Sequence, residues 1–150
     1  MEVRRIPADS TDARRLRAAM VDAIAEIYGE FVHGPGPSAS DADFSPPGGG
    51  FVAIYADGRP IAGGGVKDLG GGTGELKRMY VAPDQRGRGV ARVLLGALED
   101  LARELGHSVL RLDTGRKQPH ALALYQSAGY SEIDDYNANP YASYWAEKRL

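Results

Sequence analysis

The chain has 150 residues, which is enough for one domain with a substantial core. Its 18 lysines and arginines against 20 aspartates and glutamates give a net charge of −2, so it lacks the basic composition typical of nucleic-acid-binding proteins. It contains no cysteine, which excludes disulfides, thiolate metal sites and a cysteine nucleophile.

The N-terminal third predicts a strand, a helix and a long loop. Residues 2–6 are typical of a short strand, and Ser10 or Thr11 can cap a helix that extends to about Tyr28. Residues 34–50 are rich in proline, glycine, serine and aspartate, which predicts a long loop. No apolar run indicates a signal peptide or a membrane span, so we expect a cytoplasmic protein with no membrane partner.

Three strands are predicted next. Residues 51–56 alternate as a strand, Asp57-Gly58 predicts a hairpin, and residues 59–67 form the returning strand. Glycines at 63–65 indicate a bulge or close packing in that strand. A turn at 70–74 leads to the third strand, residues 75–81. Regular alternation would place on one face Leu76, Arg78 and Tyr80, and on the other Glu75, Lys77, Met79 and Val81.

The C-terminal half predicts two helices and three more strands. A long amphipathic helix covers about 89–104 and ends at Gly106, and residues 109–113 form a strand. Pro119 opens a short helix over 119–127 that Gly129 stops, and strands follow at 130–133 and 143–150. This order predicts a single domain over residues 1–150, with a mixed α/β sheet and helices packed on it.

The glycine-rich loop before the long helix is the first candidate site. Arg86, Gly87, Arg88 and Gly89 connect a strand to a helix N-terminus, where free N–H groups and the helix dipole attract anions. Glycine lets the backbone approach a ligand closely, and arginine can contact phosphate, so the loop suits a pyrophosphate. The dinucleotide-binding pattern fails because Arg92 stands where its third glycine is required, and no Walker A sequence occurs. A tight turn with a solvated basic rim is the alternative.

Neighbouring motifs favour the pyrophosphate site. The segments "ELKRMYVAPDQRGRGVARVLLGALEDLARELG", "LRLDTG" and "ALALYQSAGY" follow one another along the chain. In order and spacing they resemble the GNAT superfamily of N-acetyltransferases, over roughly residues 75–130. The resemblance implies a mostly antiparallel, splayed sheet with a bulged central strand and flanking helices. It also implies acetyl-CoA as the co-substrate.

The resemblance also implies the residues that bind acetyl-CoA. The backbone of residues 79–81 would face the acetyl oxygen and the pantetheine, and residues 86–91 would hold the pyrophosphate. Gln118 stands where the family often has an asparagine, so the amide is kept on a longer side chain. The predicted cofactor-binding residues are Met79, Tyr80, Val81, Arg86, Gly87, Arg88, Gly89, Val90, Ala91, Gln118 and Tyr125.

Two residues are predicted to be catalytic from the same resemblance. Tyr125 matches the family's helix tyrosine near the thioester sulfur, which implies a general acid. Glu75 matches a strand position where some members carry a base, and it could act through water on a protonated amine. The alternatives are an ordinary packed tyrosine and a strand glutamate that is solvated or paired with Lys77 or an arginine.

The acceptor site is predicted between the early helix–loop region and the last strands. These regions contribute Tyr28, Phe31, His33, Asp41, Asp43 and Phe44 on one side, and Tyr136, Asn137, Asn139, Tyr141 and Trp145 on the other. From these we predict five substrate-binding residues, namely Phe31, His33, Tyr136, Asn137 and Tyr141. Carboxylates and aromatic rings suit a small cationic or amino-acid-like amine. The scattered histidines predict no metal site.

Together these features predict direct transfer of acetyl from acetyl-CoA to a primary amine of a small molecule in a ternary complex. Two alternatives stay open. One is acetylation of a protein N-terminus or lysine, and the other is a non-catalytic acyl-CoA-binding or sensing module on the same fold. The exposed edge strands of such a sheet also make a homodimer an expectation.

Overall fold

The structure is a computed structural model that describes residues 1–29, 40–115 and 117–150, so the predicted substrate residues Phe31 and His33 lie outside the described residues. The strands are β1 (Glu2–Arg5), β2 (Gly50–Ala56), β3 (Arg59–Gly70), β4 (Thr73–Val81), β5 (Val109–Thr114), β6 (Ser131–Ile133) and β7 (Tyr144–Arg149). The helices are α1 (Thr11–Tyr28), α2 (Val90–Glu104) and α3 (Pro119–Ser127), and short 3-10 turns occupy Ala42–Phe44 and Pro83–Gln85. Within the described ranges, no helix is long and apolar enough to cross a membrane.

The described strands form one seven-stranded sheet in the order β1-β2-β3-β4-β5-β7-β6. Neighbouring strands are antiparallel except β4 and β5, which are parallel. These two central strands pair only where Thr73–Glu75 meets Val109–Arg111. Past this point β4 and β5 no longer pair with each other, although β4 still pairs with β3 and β5 with β7. The sheet therefore divides into two halves that enclose a cleft. The predicted mixed, splayed sheet is confirmed.

Helix α2 covers one face of the sheet with its apolar stripe. Leu94 and Leu98 are fully buried there, and each such leucine contributes roughly 1.5–3 kcal/mol to stability. The helix ends in a Schellman motif, in which the N–H of Gly106 donates to Arg103 and the N–H of His107 donates to Ala102. Gly106 has φ +91°, as its predicted place just beyond the helix requires.

Helix α1 and the first 3-10 turn cover the opposite face, and the consecutive glycines of β3 make this packing possible. A Cβ at Gly63 would lie 2.7 Å from a methyl carbon of Leu16, and one at Gly65 would lie 2.3 Å from the ring of Phe44. The hydroxyl of Ser10 caps α1 by accepting from the N–H of Ala13 at 3.2 Å. The prediction of close packing at these glycines is confirmed.

Strand β4 contains a β-bulge at Arg78. This residue has φ +58°, in the left-handed region that non-glycine residues rarely adopt. The pairing with β3 shifts register here, because Lys77 stands opposite Gly65 while Tyr80 stands opposite Gly63. Two residues of β4 therefore oppose a single residue of β3.

The bulge changes which side chains share a face of β4. Leu76, Met79 and Val81 pack in the core under α2, whereas Tyr80 packs on the α1 side. Uninterrupted alternation had predicted that Leu76 and Tyr80 share a face, and this prediction is wrong. The inserted residue reverses the alternation for the last part of the strand.

Candidate active site

The divergence of β4 and β5 opens a cleft of about 970 Å³ that runs across the domain. Its floor is residues 76–81 of β4, and its walls are the glycine-rich loop, the start of α2, α3 and the end of β5. Apolar side chains of α1 and residues of the segment after β6 close the other side. They are Met20, Val21, Ile24, Asn139, Tyr141 and Ala142.

At one end of the cleft lies the N-terminus of α2. Gly89 caps the helix with φ +78° and provides no side-chain hydrogen bond. The first helical bond that follows it is from the N–H of Val93 to the carbonyl of Gly89, at 3.2 Å. The N–H groups of the first turn therefore have no acceptor within the helix, and they surround a position where an anion would be stabilised.

The predicted pyrophosphate residues lie at this end with one exception. Arg86, Gly87, Gly89, Val90 and Ala91 all line the cleft. The Arg86 side chain donates to the carbonyl of Val81 at 3.1 Å, which fixes the loop against the end of β4. Arg88 is exposed and does not line the cleft.

Tyr125 lies at the middle of the cleft on α3. Its side chain is nearly buried, and its hydroxyl is 3.7 Å from the sulfur of Met79. Its ring packs edge-to-face on Tyr130, with 5.9 Å between ring centroids. Burial raises the pKa of Tyr125 well above its ordinary value, and the charge of Asp113 raises it further. The phenol is therefore protonated at neutral pH and can donate a proton.

Predicted cofactor residue Gln118 is also at the cleft wall. Its side-chain oxygen lies 3.5 Å from the hydroxyl of Thr114 and accepts from the N–H of Gly115 at 3.4 Å. Predicted substrate residue Tyr141 lines the cleft as well, and its N–H donates to the side chain of Asn139 at 3.1 Å.

Predicted base Glu75 lies beneath the cleft rather than in its lining. Only 3% of the residue is exposed. Its carboxylate accepts from the hydroxyl of Tyr136 at 2.6 Å and from the amide of Asn137 at 3.2 Å, and the ammonium of Lys77 lies 3.5 Å away. Burial, and then the hydrogen bond to Glu75, raise the pKa of Tyr136 well above its ordinary value.

Asp113 connects this buried cluster to the cleft, and the sequence reading did not single it out. One of its oxygens accepts from the amides of Asn137 at 2.5 Å and Asn139 at 3.3 Å. The amide oxygen of Asn137 in turn accepts from the indole of Trp145 at 2.9 Å. Asp113 itself lines the cleft, so the network presents one carboxylate to it. Neither Tyr136 nor Asn137, two predicted substrate residues, lines the cleft: Asn137 donates to Asp113 and Glu75, and Tyr136 donates to Glu75.

Arg78 is another residue of the cleft lining that the sequence analysis did not predict as a site residue. It was assigned to a strand face on the assumption of regular alternation, but the bulge turns it to the cleft. The signal was present in the resemblance, which implies a bulged central strand. A residue at such a bulge leaves the alternating pattern.

The comparison with known families decides the family of this fold and cleft. A model of the acetyltransferase (GNAT) family matches residues 17–130, which include β4, the glycine-rich loop, α2 and α3. The chain belongs to the GNAT acetyltransferase family. Its predicted family is therefore confirmed.

Individual relatives agree with this family. The chain is 40% identical over 83 residues to the IAA acetyltransferase of Azospirillum brasilense. The aligned segment covers 55% of this chain and 54% of that protein. The chain spans about half the length of the curated relatives it matches.

Solved GNAT structures share the whole fold. A Klebsiella pneumoniae structure, solved as a candidate acyl-CoA N-acyltransferase, matches with a TM-score of 0.78 and 30% identity over 99% of this chain and 97% of that one. PaiA N-acetyltransferase of Thermoplasma acidophilum, solved in complex with coenzyme A, matches with a TM-score of 0.72 and 17% identity over 100% of both chains. At that identity, the second match supports the fold alone.

Proposed function

We propose that the chain transfers an acetyl group from acetyl-CoA to the primary amine of a small molecule, directly and in a ternary complex. One observation carries this proposal. A continuous cleft joins the uncapped, glycine-rich N-terminus of α2 to the buried phenol of Tyr125 along the open edge of β4. Membership of the GNAT acetyltransferase family supports acetyl-CoA as the co-substrate.

The chain's own groups suit acetyl-CoA in this cleft. The N–H groups of residues 86–91 would bind the pyrophosphate, since they combine the helix dipole with glycines at positive φ. In the described part of the chain, β4 pairs with β5 only as far as Glu75, so beyond it the backbone groups on that edge are available to pair with the pantetheine. The N–H groups of residues 79–81 would stabilise the oxyanion that forms at the thioester carbonyl.

The transfer step then follows from the placement of Tyr125. The acceptor nitrogen attacks the thioester carbonyl carbon, a C–N bond forms, and the C–S bond breaks. Before the attack, one proton of the acceptor ammonium passes to a carboxylate through water, because only the neutral amine can attack. Tyr125 gives its proton to the leaving sulfur and regains one through water from the second proton that the nitrogen loses as the amide forms. The raised pKa of Tyr125 keeps its phenol protonated at neutral pH, before the transfer begins.

Two carboxylates could receive the acceptor's proton. Asp113 lines the cleft, whereas Glu75 lies behind it under Tyr136 and Asn137. A base must come within hydrogen-bond reach of the proton, directly or through one water, so the geometry favours Asp113. Glu75 stays a predicted base that would act through this network.

The test is release of the CoA thiol from acetyl-CoA across a panel of amino acids, polyamines, arylamines, aminoglycosides and short peptides. The chain has no cysteine, so a thiol reagent reacts only with the CoA that the transfer releases. Turnover with a small amine supports the proposal. Turnover with peptides alone would favour the protein acetyltransferase, and acetyl-CoA binding without any turnover would favour the non-catalytic binding module.

A further inference from the structure

Arg78 lines the cleft with a positive charge that no carboxylate of the described residues pairs with. Its side chain is more than half-buried, and among the described residues no acceptor lies within hydrogen-bond distance and no carboxylate within 4.0 Å of its guanidinium. Burial lowers its pKa, with repulsion from Arg17 second, yet an arginine stays protonated in proteins. Burying an unpaired charge is costly, and the left-handed backbone of this residue adds strain. Proteins retain an unpaired charge and a strained backbone of this kind at sites where a bound ligand supplies the opposite charge.

The other cations near the acceptor end already have partners. Lys77 pairs with Glu75 at 3.5 Å, and the guanidinium of Arg17 binds Asp41 and donates to the carbonyl of Ala8 at 2.7 Å. Each of these two cations thus has a carboxylate partner, although Arg17 shares Asp41 with Arg14. These pairs leave Arg78 as the cation that a bound molecule would meet in this part of the described cleft.

Asp113 is the opposite charge left at the same end. One of its oxygens accepts from two amides, and no cation of the described residues lies within 4.0 Å of it. It lines the same cleft as Arg78 and Tyr125, and its charge acts on the guanidinium of the first and on the phenol of the second. The acceptor end thus presents one separated positive and one separated negative charge.

We propose that the acceptor is a zwitterion, an amine that also carries a carboxylate, with the carboxylate bound by Arg78 and the ammonium facing Asp113. This inference rests on the proposed function and names its substrate class. A guanidinium matches a carboxylate with two parallel hydrogen bonds. A carboxylate fits better than a phosphate, because a single unpaired cation neutralises one negative charge. A free α-amino acid and the C-terminal residue of a very short peptide share this chemistry.

The first experiment measures binding separately from chemistry. Each amino acid is titrated into the protein–CoA complex by isothermal calorimetry, beside its amide and its decarboxylated amine. We expect the amino acid to bind at least about tenfold more tightly than either analogue, because only it pairs with Arg78. Equal binding of the three, or no binding by any amino acid in the panel, overturns the inference. Short peptides with free and amidated C-termini separate the two sources of the carboxylate.

The second experiment assigns the preference to Arg78. In Arg78→Gln the ratio of affinities for acid over amide should fall to near one, while Arg78→Lys should keep part of it. Arg103→Gln is the control, since Arg103 is exposed on α2 and paired with Asp100, and its ratio should match the wild type. A ratio that survives Arg78→Gln overturns the inference.

Turnover measured with the same ligands tests the proposed function on its own. Acids that bind through Arg78 but are never acetylated would contradict the transferase and keep the zwitterion site. Acetylation of amines irrespective of a carboxylate would keep the transferase and reject the zwitterion site.

Discussion

The two ends of the cleft use different parts of the chain. The cofactor end is made of backbone, with glycines at positive φ and the uncapped N–H groups of α2. The proposed acceptor end is made of side chains, namely Arg78 and Asp113, of which Asp113 is held by a hydrogen-bonded cluster. A substitution at the cofactor end therefore acts by adding a side chain where the backbone must approach the ligand. A substitution at the acceptor end acts by removing a charged side-chain group. Each prediction below tests one side of this difference.

Gly89→Asp should have the largest effect. It places a side chain on a residue with φ +78° and a negative charge where the N–H groups of α2 attract an anion. We expect acetyl-CoA to bind at least about 100-fold more weakly, measured by calorimetry. Gly70→Asp is the matched control, because Gly70 also has positive φ and open space but lies at the end of β3, outside the cleft. An unchanged affinity in Gly89→Asp would remove the pyrophosphate from this loop.

Tyr125→Phe should act on the chemical step. Loss of a general acid lowers kcat typically by about 100-fold or more, while acetyl-CoA affinity should change little. Tyr130→Phe is the control, since its hydroxyl binds Glu99 at 2.9 Å and does not face the cleft. Full kcat in Tyr125→Phe with a confirmed acceptor would exclude Tyr125 as the acid.

The same tyrosine gives a pH prediction. Its pKa is raised above the ordinary value of 10.0, so the protonated phenol persists as the pH rises through 10 and is lost only beyond it. An ultraviolet difference titration of wild type against Tyr125→Phe should find no phenolate from this residue at pH 10. Ionisation of Tyr125 at its ordinary value would show that the side chain is solvated rather than buried.

The sequence predicted helix ends and turns better than it predicted contacts between distant side chains, because the signals of caps and turns are local. Pro119 and Gly129 bracket α3, and the structure gives this helix the predicted bounds. Asp57-Gly58 forms the predicted hairpin, with positive φ at both residues. Such turn and cap residues act within a few positions of the chain, so a single sequence is enough to read them.

The acceptor end depends on contacts that no local pattern contains. The left-handed conformation of Arg78 has no signature in its own residue type, and it reversed the predicted faces of β4. The bond between Asp113 and Asn137 joins residues 24 positions apart, and that between Glu75 and Tyr136 joins residues 61 apart. Only the folded sheet brings these side chains together.

Asp113→Asn should have an intermediate effect. It removes the negative charge that faces the acceptor ammonium while keeping a side chain of the same size. We expect kcat/KM for the acceptor to fall roughly tenfold to 100-fold at neutral pH, with acetyl-CoA affinity retained. Asp100→Asn, on the exposed face of α2, is the control. If Asp113→Asn keeps full kcat/KM, the ammonium does not meet this carboxylate.

Glu75→Gln should have the smallest effect on turnover, because this carboxylate acts on the cleft through Asn137 and Asp113. We expect an increase of several-fold in acceptor KM, little change in kcat, and a loss of about 1–3 kcal/mol of stability from the broken buried pair with Lys77. Glu99→Gln is a close control. Glu99 is also a buried glutamate that binds a tyrosine hydroxyl, at 2.9 Å from Tyr130, and a lysine, at 3.0 Å from Lys148.

The two glutamate variants should therefore lose similar stability by thermal unfolding, while only Glu75→Gln changes the acceptor KM. This comparison separates the two remaining roles of Glu75. A positioning residue moves KM through Asp113 and leaves kcat nearly intact, whereas a base lowers kcat. A loss of kcat in Glu75→Gln larger than in Asp113→Asn would assign the base to Glu75.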